Sequence, residues 1–175
     1  MGVVKDDSQS LIKTVKDVSS FDMAVFSGGS SVGSRDLFSS VIEELGVVHF
    51  HGLQVKPGKP TLFGVVQNMP IFGMPGYPTS CLSNAYIFLA PALRKMAGLA
   101  SNEMRKVIGR LSQEIRVSGD REQFYTVKLE EGVVTPVFKQ SGDITSMAYA
   151  NGLIIIPIGT KRIANGAEVE VALLE

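Results

Sequence analysis

Over about the first hundred residues, stretches with apolar positions at helical spacing alternate with short, continuous apolar runs. The first kind predicts helices that bury one face, and the second predicts buried strands. This alternation is typical of a sheet covered by helices, so the sequence predicts an α/β fold with three layers and a partial parallel sheet. The predicted elements are, in chain order, a helix capped by Asp7 or Ser8, a strand Asp22–Phe26, a helix Asp36–Leu45, a strand Val47–Val55, strands Thr61–Val66 and Pro70–Gly73 joined by a turn at Gln67–Asn68, and a helix Pro78–Met96 kinked at Pro91.

After about residue 100 the pattern changes to short alternating runs separated by turn residues such as Asn and Gly. This pattern predicts a small all-β domain, either a barrel or a sandwich. We therefore predict an α/β domain over residues 1–100 and an all-β domain over residues 101–175. The predicted strands of the second domain are Lys106–Val117, Gln123–Glu130, Val133–Phe138, Leu153–Ile158 and Glu168–Leu173.

The composition excludes several classes of partner. The chain has 17 basic and 17 acidic residues, so no global field attracts nucleic acid or an anionic membrane, and any anion site must be local. No apolar run reaches the roughly 20 residues that span a bilayer, and the first residues are too acidic for a signal peptide. The single cysteine, Cys81, cannot form an internal disulfide. We expect a soluble, cytoplasmic protein.

One glycine-rich stretch, SGGSSVGSRD at residues 27–36, follows the predicted strand Asp22–Phe26 and leads into the next helix. Glycines at positions 28, 29 and 33 would let the backbone adopt positive φ and let a ligand approach the main chain. Backbone N–H groups beside a helix N-terminus favour an anion, because the helix dipole is positive there. A plain strand-to-helix connection can have the same composition, so both interpretations stay open.

An acidic residue, Asp36, ends this loop among groups that are otherwise suited to anions. It is either a helix cap, together with Ser34, or a metal ligand. A Mg²⁺ ion that bridges the carboxylate and a phosphate or oxyanion would reconcile the opposite charges. Both interpretations of Asp36 stay open.

Two further loops follow predicted strands. Lys56 and Lys59 lie in the turn KPGKP, whose prolines restrict the backbone and hold the two ammonium groups with little loss of entropy; a solvated surface loop is the alternative. The stretch GMPGYPTS at residues 73–80 places hydroxyl and N–H groups at the start of the long helix, which is a second candidate anion site. Ligands of α/β sheets bind beyond the carboxyl ends of strands, so we expect the three loops to meet in one crevice.

Two histidines, His49 and His51, fall two residues apart and therefore on one face of the predicted strand. Such a pair can bind a metal ion. Since no third candidate ligand is near them in the sequence, we interpret the two histidines as structural.

The order SGGSSVGSRD, KPGKP and GMPGYPTS resembles that of the molybdopterin molybdenumtransferases, the family of the MoeA-type enzymes and the E domain of gephyrin. The first motif alone would also fit the molybdopterin adenylyltransferases, whereas the other two favour the molybdenum-inserting branch. The resemblance covers nearly the whole chain, and residues 141–153 resemble the family's C-terminal β domain less specifically. It implies a transferase of molybdenum cofactor biosynthesis, which inserts molybdate into adenylylated molybdopterin and hydrolyses the adenylate with Mg²⁺.

The resemblance also implies a role for each candidate residue by its position in a motif. The residues implied to bind the pterin and its phosphate are Gly28, Gly29, Ser31, Gly33 and Gly76. The residues implied to be catalytic are Asp36, Lys56, Lys59 and Ser80, of which Asp36 would also bind Mg²⁺. In these roles the lysines would attract molybdate or phosphate, and the serine would donate a hydrogen bond from the long helix.

The chain departs from the family pattern at three positions. Ser34 stands where an acid is usual, Tyr77 where asparagine is usual, and Thr126 where an arginine is often found. Family members also have two further N-terminal domains, and their active sites are completed across a dimer. We therefore expect a homodimer or a second chain that carries the missing domains, and a chain that is not catalytically competent alone. The alternatives are a non-catalytic molybdopterin-binding or scaffolding protein and an adenylyltransferase.

Overall fold

The computed structural model describes residues 2–29, 36–100, 104–137 and 146–174, and the chain divides into two compact units. The first unit comprises residues 1–53 and 58–76, and the second comprises residues 54–57 and 77–175. Each unit has its own sheet and its own cluster of buried apolar residues. The predicted division at residue 100 rests on the change of sequence pattern and stays a prediction.

The elements follow one another along the chain as helices α1 to α5 and strands β1 to β12. In chain order they are α1 (Ser8–Asp17), β1 (Ala24–Ser27), α2 (Leu37–Leu45), β2 (Val47–His51), β3 (Val55–Lys56), β4 (Leu62–Val66), β5 (Met69–Met74), α3 (Pro78–Asn84), a π-helical turn (Ala85–Leu89), α4 (Ala90–Met96), β6 (Lys106–Leu111), β7 (Ile115–Arg116), β8 (Glu122–Glu130), β9 (Val133–Pro136), α5 (Ser146–Tyr149), β10 (Gly152–Ile156), β11 (Arg162–Ile163) and β12 (Glu168–Leu173). None of the described helices combines the length and the apolar composition that crossing a membrane requires.

The sheet of the first unit has the strand order β1-β5-β4-β2. The predicted α/β class is confirmed, but among the described strands of this sheet only β1 and β5 pair in parallel, because β4 pairs antiparallel with both β5 and β2. The predicted turn is present: Gln67 and Asn68 have φ of 51° and 70°, which suits a two-residue hairpin between β4 and β5. β1, β5 and β2 still run in the same direction, so their carboxyl ends share one edge of the sheet.

Helices α1 and α2 contribute to the core of the first unit together with the inward side chains of β4 and β5. Ile42 of α2 and Ile71 of β5 are fully buried in it. Gly73 provides the room for the start of α2, since a Cβ at this position would lie 2.8 Å from Cε1 of the buried Phe38 ring. The contact with Phe38 positions the N-terminus of α2 at the carboxyl end of β5.

The predicted strand Val47–Val55 is wrong in its length and in its side-chain alternation. The chain leaves the sheet after His51, Gly52 has φ of 90°, and β3 pairs with β8 in the other unit. A bulge between Val48 and Phe50 also breaks the alternation. His49 and His51 consequently do not share a face: the exposed His49 stacks on Phe63, with ring centroids 5.6 Å apart, whereas His51 contacts Asp36.

The predicted C-terminal β fold is confirmed, and it is a barrel within the second unit. β10 pairs with both β12 and β8, so the strands β10, β12, β6, β9 and β8 form a closed ring. Their inward residues, among them Leu111, Val127 and Ile156, are buried. The predicted strand Lys106–Val117 is in fact β6 and β7, which belong to two sheets, and α5 and β11 were not predicted.

The predicted long helix Pro78–Met96 is found with a change of hydrogen-bond pattern in its middle. The Ala90 N–H donates to the carbonyl of Ala85, five residues earlier. Pro91 follows directly and has no N–H to donate. The irregularity that the sequence predicted at Pro91 is thus the π-helical turn that precedes it.

Candidate functional site

The carboxyl ends of β1 and β5 bring two glycine-containing segments together in the first unit. Gly28 donates its N–H to the Met74 carbonyl oxygen at 3.1 Å, which extends the parallel ladder beyond the two strands. A Cβ on Gly76 would lie 3.3 Å from the Cα of Gly28, so the two main chains pass close to each other. Gly28 therefore lets the two main chains pass close to each other. Its own N–H already donates to Met74 and is not available to a ligand.

The expected positive φ is found at both described glycines of the loop, 85° at Gly28 and 68° at Gly29. Glycine adopts this conformation without the steric cost that a Cβ brings. No described atom lies within 4 Å of a Cβ built on Gly28, and only Asp6 Oδ1, at 3.9 Å, lies near one built on Gly29. Sequence-predicted Ser31 and Gly33, and also Ser34, lie outside the described residues.

Asp36 is the N-cap of α2, as one of its two interpretations predicted. Its Oδ1 accepts a hydrogen bond from the Ser39 N–H at 3.0 Å. Its Oδ2 lies 3.1 Å from Nε2 of His51, and the two side chains are 3% and 19% exposed. Despite this distance, neither Oδ2 nor Nε2 meets the geometry of a hydrogen bond to any described group. One carboxylate oxygen thus caps the helix, and the other is buried beside an imidazole nitrogen.

The register of the sheet explains how His51 reaches Asp36. His51 is opposite Leu62 in β4, and Leu62 is opposite Gly73 in β5. His51 therefore ends β2 at the level where Phe38, two residues after Asp36, packs on β5. The sequence analysis missed this contact because it continued the strand to Val55. A strand that ends at Gly52 would have placed His51 at the carboxyl edge, where ligands bind.

Lys59 lies between β2 and β4 at the same edge of the sheet. The Leu53 N–H donates to the Lys59 carbonyl at 2.8 Å, and the Gly52 N–H donates to the Thr61 carbonyl at 2.9 Å. The Thr61 hydroxyl also donates to the Gly58 carbonyl at 2.8 Å. These bonds fix the backbone of the segment, while the Lys59 side chain is exposed. A fixed backbone with an exposed ammonium group suits the attraction of an anion.

The other two predicted catalytic residues belong to the second unit. Lys56 ends β3, where it is half-buried and opposite Gln123 of β8. Ser80 lies in the first turn of α3 and is only 5% exposed. The neighbouring Thr79 is also buried, and its hydroxyl has no hydrogen-bond partner in the part of the chain that the structure describes.

Of the predicted site residues that the structure describes, Gly28, Gly29, Gly76, Asp36 and Lys59 lie along one sheet edge of the first unit.

Among the described residues, neither Cys81 nor a cluster of metal-binding side chains forms a second candidate site. Burial raises the pKa of the Cys81 thiol, which keeps it protonated and makes it a poor nucleophile. The described residues contain no group of three or more His, Cys, Asp or Glu side chains placed to hold a metal ion. Asp36 and His51 are therefore a pair of candidate donors among the described side chains.

Comparison with known proteins assigns both parts of the chain. Residues 1–95 match the family described as a probable molybdopterin binding domain, and residues 109–174 match the MoeA C-terminal region (domain IV). A molybdopterin molybdenumtransferase of Nostoc sp. is 30% identical over 185 residues, which cover 99% of this chain and 42% of the relative. Gephyrin of Dictyostelium discoideum is 26% identical and is matched over 28% of its length.

A solved structure agrees with these matches. The crystal structure of a molybdopterin biosynthesis MoeA protein from Pyrococcus horikoshii superposes with a TM-score of 0.85 and 41% identity, over 99% of this chain and 43% of that one. The chain spans less than half the length of these relatives. The first family match covers more than half of the chain, and the second extends through the β domain. The chain accordingly belongs to the family of the MoeA-type molybdopterin molybdenumtransferases and gephyrin.

Proposed function

We propose that this chain acts in molybdenum cofactor biosynthesis by binding adenylylated molybdopterin for the insertion of molybdate. The observation that carries the proposal is the close approach of Gly28 and Gly76 beyond the carboxyl ends of β1 and β5, with Asp36 and Lys59 on the same sheet edge. Because Gly28 and Gly76 have no side chains, a phosphate can reach the main chain at this point. The name of the Nostoc relative, molybdopterin molybdenumtransferase, agrees with this reaction.

Each residue of the edge has a distinct part in the proposed binding. Gly28 and Gly76 leave room for the phosphate because neither has a side chain. Lys59 presents an exposed ammonium group to molybdate or phosphate, which are both oxyanions. Ser31, Gly33 and Gly29 are proposed to surround the phosphate with main-chain and hydroxyl groups. For Lys56 and Ser80 we propose the roles of a positive charge and a hydroxyl donor, respectively.

A divalent cation such as Mg²⁺ is proposed at Asp36. The residues fit such an ion, because Oδ2 is buried without a hydrogen bond from any described residue while Oδ1 caps α2. A buried carboxylate oxygen is stabilised by a cation, since its solvation by water is lost. The bound ion would neutralise charge on the phosphate or molybdate oxygens. The chain itself orients the carboxylate through the cap to the Ser39 N–H.

We also propose that further domains complete the site, either on this protein's own full chain or on a partner chain, as a homodimer or a hetero-complex. The relatives named above are more than twice as long as the region they share with this chain, which supports this proposal. A cytoplasmic location is proposed with it, because the single cysteine suits a reducing compartment.

The test is direct binding of adenylylated molybdopterin, measured by equilibrium titration under anaerobic conditions. Lys59→Ala should weaken binding by about tenfold, because it removes a charge-assisted hydrogen bond. Lys13→Ala is the matched control, since Lys13 is an exposed lysine on α1 of the same unit and its loss should not change binding. Equal weakening by both substitutions, or by neither, would remove the role proposed for Lys59.

Turnover is measured separately, in the assembly that carries the proposed further domains, as adenylate release that requires molybdate and Mg²⁺. Asp36→Asn keeps an oxygen that can cap α2 but loses the negative charge, so it should lower the rate without unfolding the helix. Equal rates in the unmodified protein, Asp36→Asn and Lys59→Ala would contradict the proposed catalytic roles. Tight binding with no release would instead favour the non-catalytic alternative.

A further inference from the structure

We propose that His51 is a metal ligand and that, together with Asp36, it binds a first-row transition-metal dication such as Mn²⁺ in preference to Mg²⁺. This proposal rests on the proposed function in placing a divalent cation at Asp36. It adds an imidazole nitrogen to the site and changes the class of ion that the site selects.

The first argument is the separation of the two donor atoms. Asp36 Oδ2 and His51 Nε2 are 3.1 Å apart. Two ligands that bind one ion at about 2.1 Å and at right angles to each other lie about 3.0 Å apart. The observed separation is therefore that of two neighbouring ligands of a single ion.

The second argument is the direction of the imidazole. A histidine that donates its N–H to a carboxylate points that N–H at the oxygen, but this pair does not meet hydrogen-bond geometry in spite of its short distance. Two ligands of a shared ion point at the ion and not at each other. The geometry of the pair thus agrees better with a third participant than with a direct hydrogen bond.

The third argument is burial. The Asp36 side chain is 3% exposed, and its Oδ2 has no hydrogen bond to any described group. A buried carboxylate oxygen and a buried ring nitrogen that lack partners among the described residues cost free energy, because neither atom regains the hydrogen bonds it makes with water. A cation bound between them would satisfy both atoms at once.

The chemistry of the donors selects the ion. Mg²⁺ binds oxygen ligands almost exclusively, whereas imidazole nitrogen suits the transition metals. Two protein donors leave several coordination positions open, and water or substrate oxyanions can fill them. Such an incomplete set is typical of metals that bind together with a phosphorylated substrate.

The experiment uses the untagged full chain, because a histidine tag would add imidazoles. Mn²⁺ binding is titrated by electron paramagnetic resonance, and coupling of bound Mn²⁺ to nitrogen-14 is measured by pulsed methods. The chain has only two histidines, His49 and His51, so an imidazole coupling has only two possible origins. We expect nitrogen coupling in the unmodified protein and an affinity for Mn²⁺ at least about tenfold higher than for Mg²⁺.

Two histidine variants assign the signal. His51→Gln should abolish the nitrogen coupling and weaken Mn²⁺ binding by about tenfold or more, while its amide oxygen lets Mg²⁺ binding persist. His49→Gln is the matched control, since His49 is exposed and stacks on Phe63, and it should retain both properties. Coupling that is absent in the unmodified protein, or that disappears in His49→Gln and not in His51→Gln, overturns the proposal.

The measurement in the unmodified protein does not depend on whether any variant folds. Absent nitrogen coupling with intact binding of adenylylated molybdopterin overturns the metal-ligand role of His51 and leaves the proposed function standing. Nitrogen coupling without any binding of that substrate supports the metal site and overturns the proposed function.

Discussion

At the residue scale, the absence of a side chain at Gly73 leaves space for Phe38 and so positions the candidate site. The Phe38 ring is 2% exposed and occupies the space that a Cβ on Gly73 would need. Phe38 also lies 4.9 Å from Phe26, between ring centroids, so both parallel strands contact the start of α2. Since Asp36 caps that helix, the packing of Phe38 determines where the carboxylate lies.

Gly73→Ala is expected to destabilise the protein by about 1–3 kcal/mol, because the new Cβ would lie 2.8 Å from Phe38 Cε1 and 3.2 Å from Leu62 Cβ. Urea unfolding at constant pH measures the change in the free energy of unfolding. Gly2→Ala is the control, since a Cβ there meets no atom of the described residues within 4 Å. A Gly73→Ala protein as stable as the unmodified protein would show that Phe38 moves without cost.

At the scale of the single element, Asp7 caps the N-terminus of helix α1. The Asp7 carboxylate accepts hydrogen bonds from the backbone N–H and the hydroxyl of Ser10, each at 2.8 Å. The backbone hydrogen bond is the main cause, followed by the hydroxyl, of a lowered pKa of the Asp7 carboxyl. The folded state therefore binds the proton at Asp7 less readily than the unfolded state does.

The lowered pKa of Asp7 predicts a pH-dependent effect of Asp7→Asn. The carboxylate stabilises the fold fully above its unfolded pKa, and this contribution is lost as the pH falls through the lower, folded pKa. Asparagine can still cap the helix but does not titrate. We expect Asp7→Asn to lower the Tm at neutral pH and the difference to shrink as the pH falls from the unfolded pKa through the folded pKa. Thermal unfolding followed by circular dichroism measures it, and a difference that is constant with pH would contradict the assignment.

Two separate hydrophobic cores stabilise the chain at the scale of the whole molecule. One cluster contains residues of α1, α2, β1, β4 and β5, and the other contains residues of the barrel strands and of β7. Each cluster takes its described members from one compact unit. The two units therefore have distinct sources of hydrophobic stabilisation.

Core truncations in the two units should have local effects. Ile71→Ala and Ile156→Ala each remove a side chain that is at most 1% exposed, which typically costs about 2–5 kcal/mol. Hydrogen exchange followed by mass spectrometry should show faster exchange mainly in the first unit for Ile71→Ala and mainly in the second for Ile156→Ala. An equal increase throughout the chain in both variants would show that the units unfold together.

Much of the fold could be predicted because its signals are local. The helices at Ser8 and Leu37, the turn at Gln67–Asn68 and the strands of the barrel follow from spacing, caps and turn residues. The predictions fail where strand pairing determines the extent of an element. The predicted strand Val47–Val55 is divided because β2 and β3 join different sheets. The same failure hid the contact between His51 and Asp36.

The class of the fold, the order of its motifs and the family follow from residue types and their spacings along the chain. Which groups meet depends on how distant segments pair. The strand register brings His51 to Asp36 and Gly76 to Gly28, over 15 and 48 positions of sequence respectively. The physical reason is that register and strand direction arise from pairing between distant segments, and a bulge of one residue reverses the face on which a side chain lies.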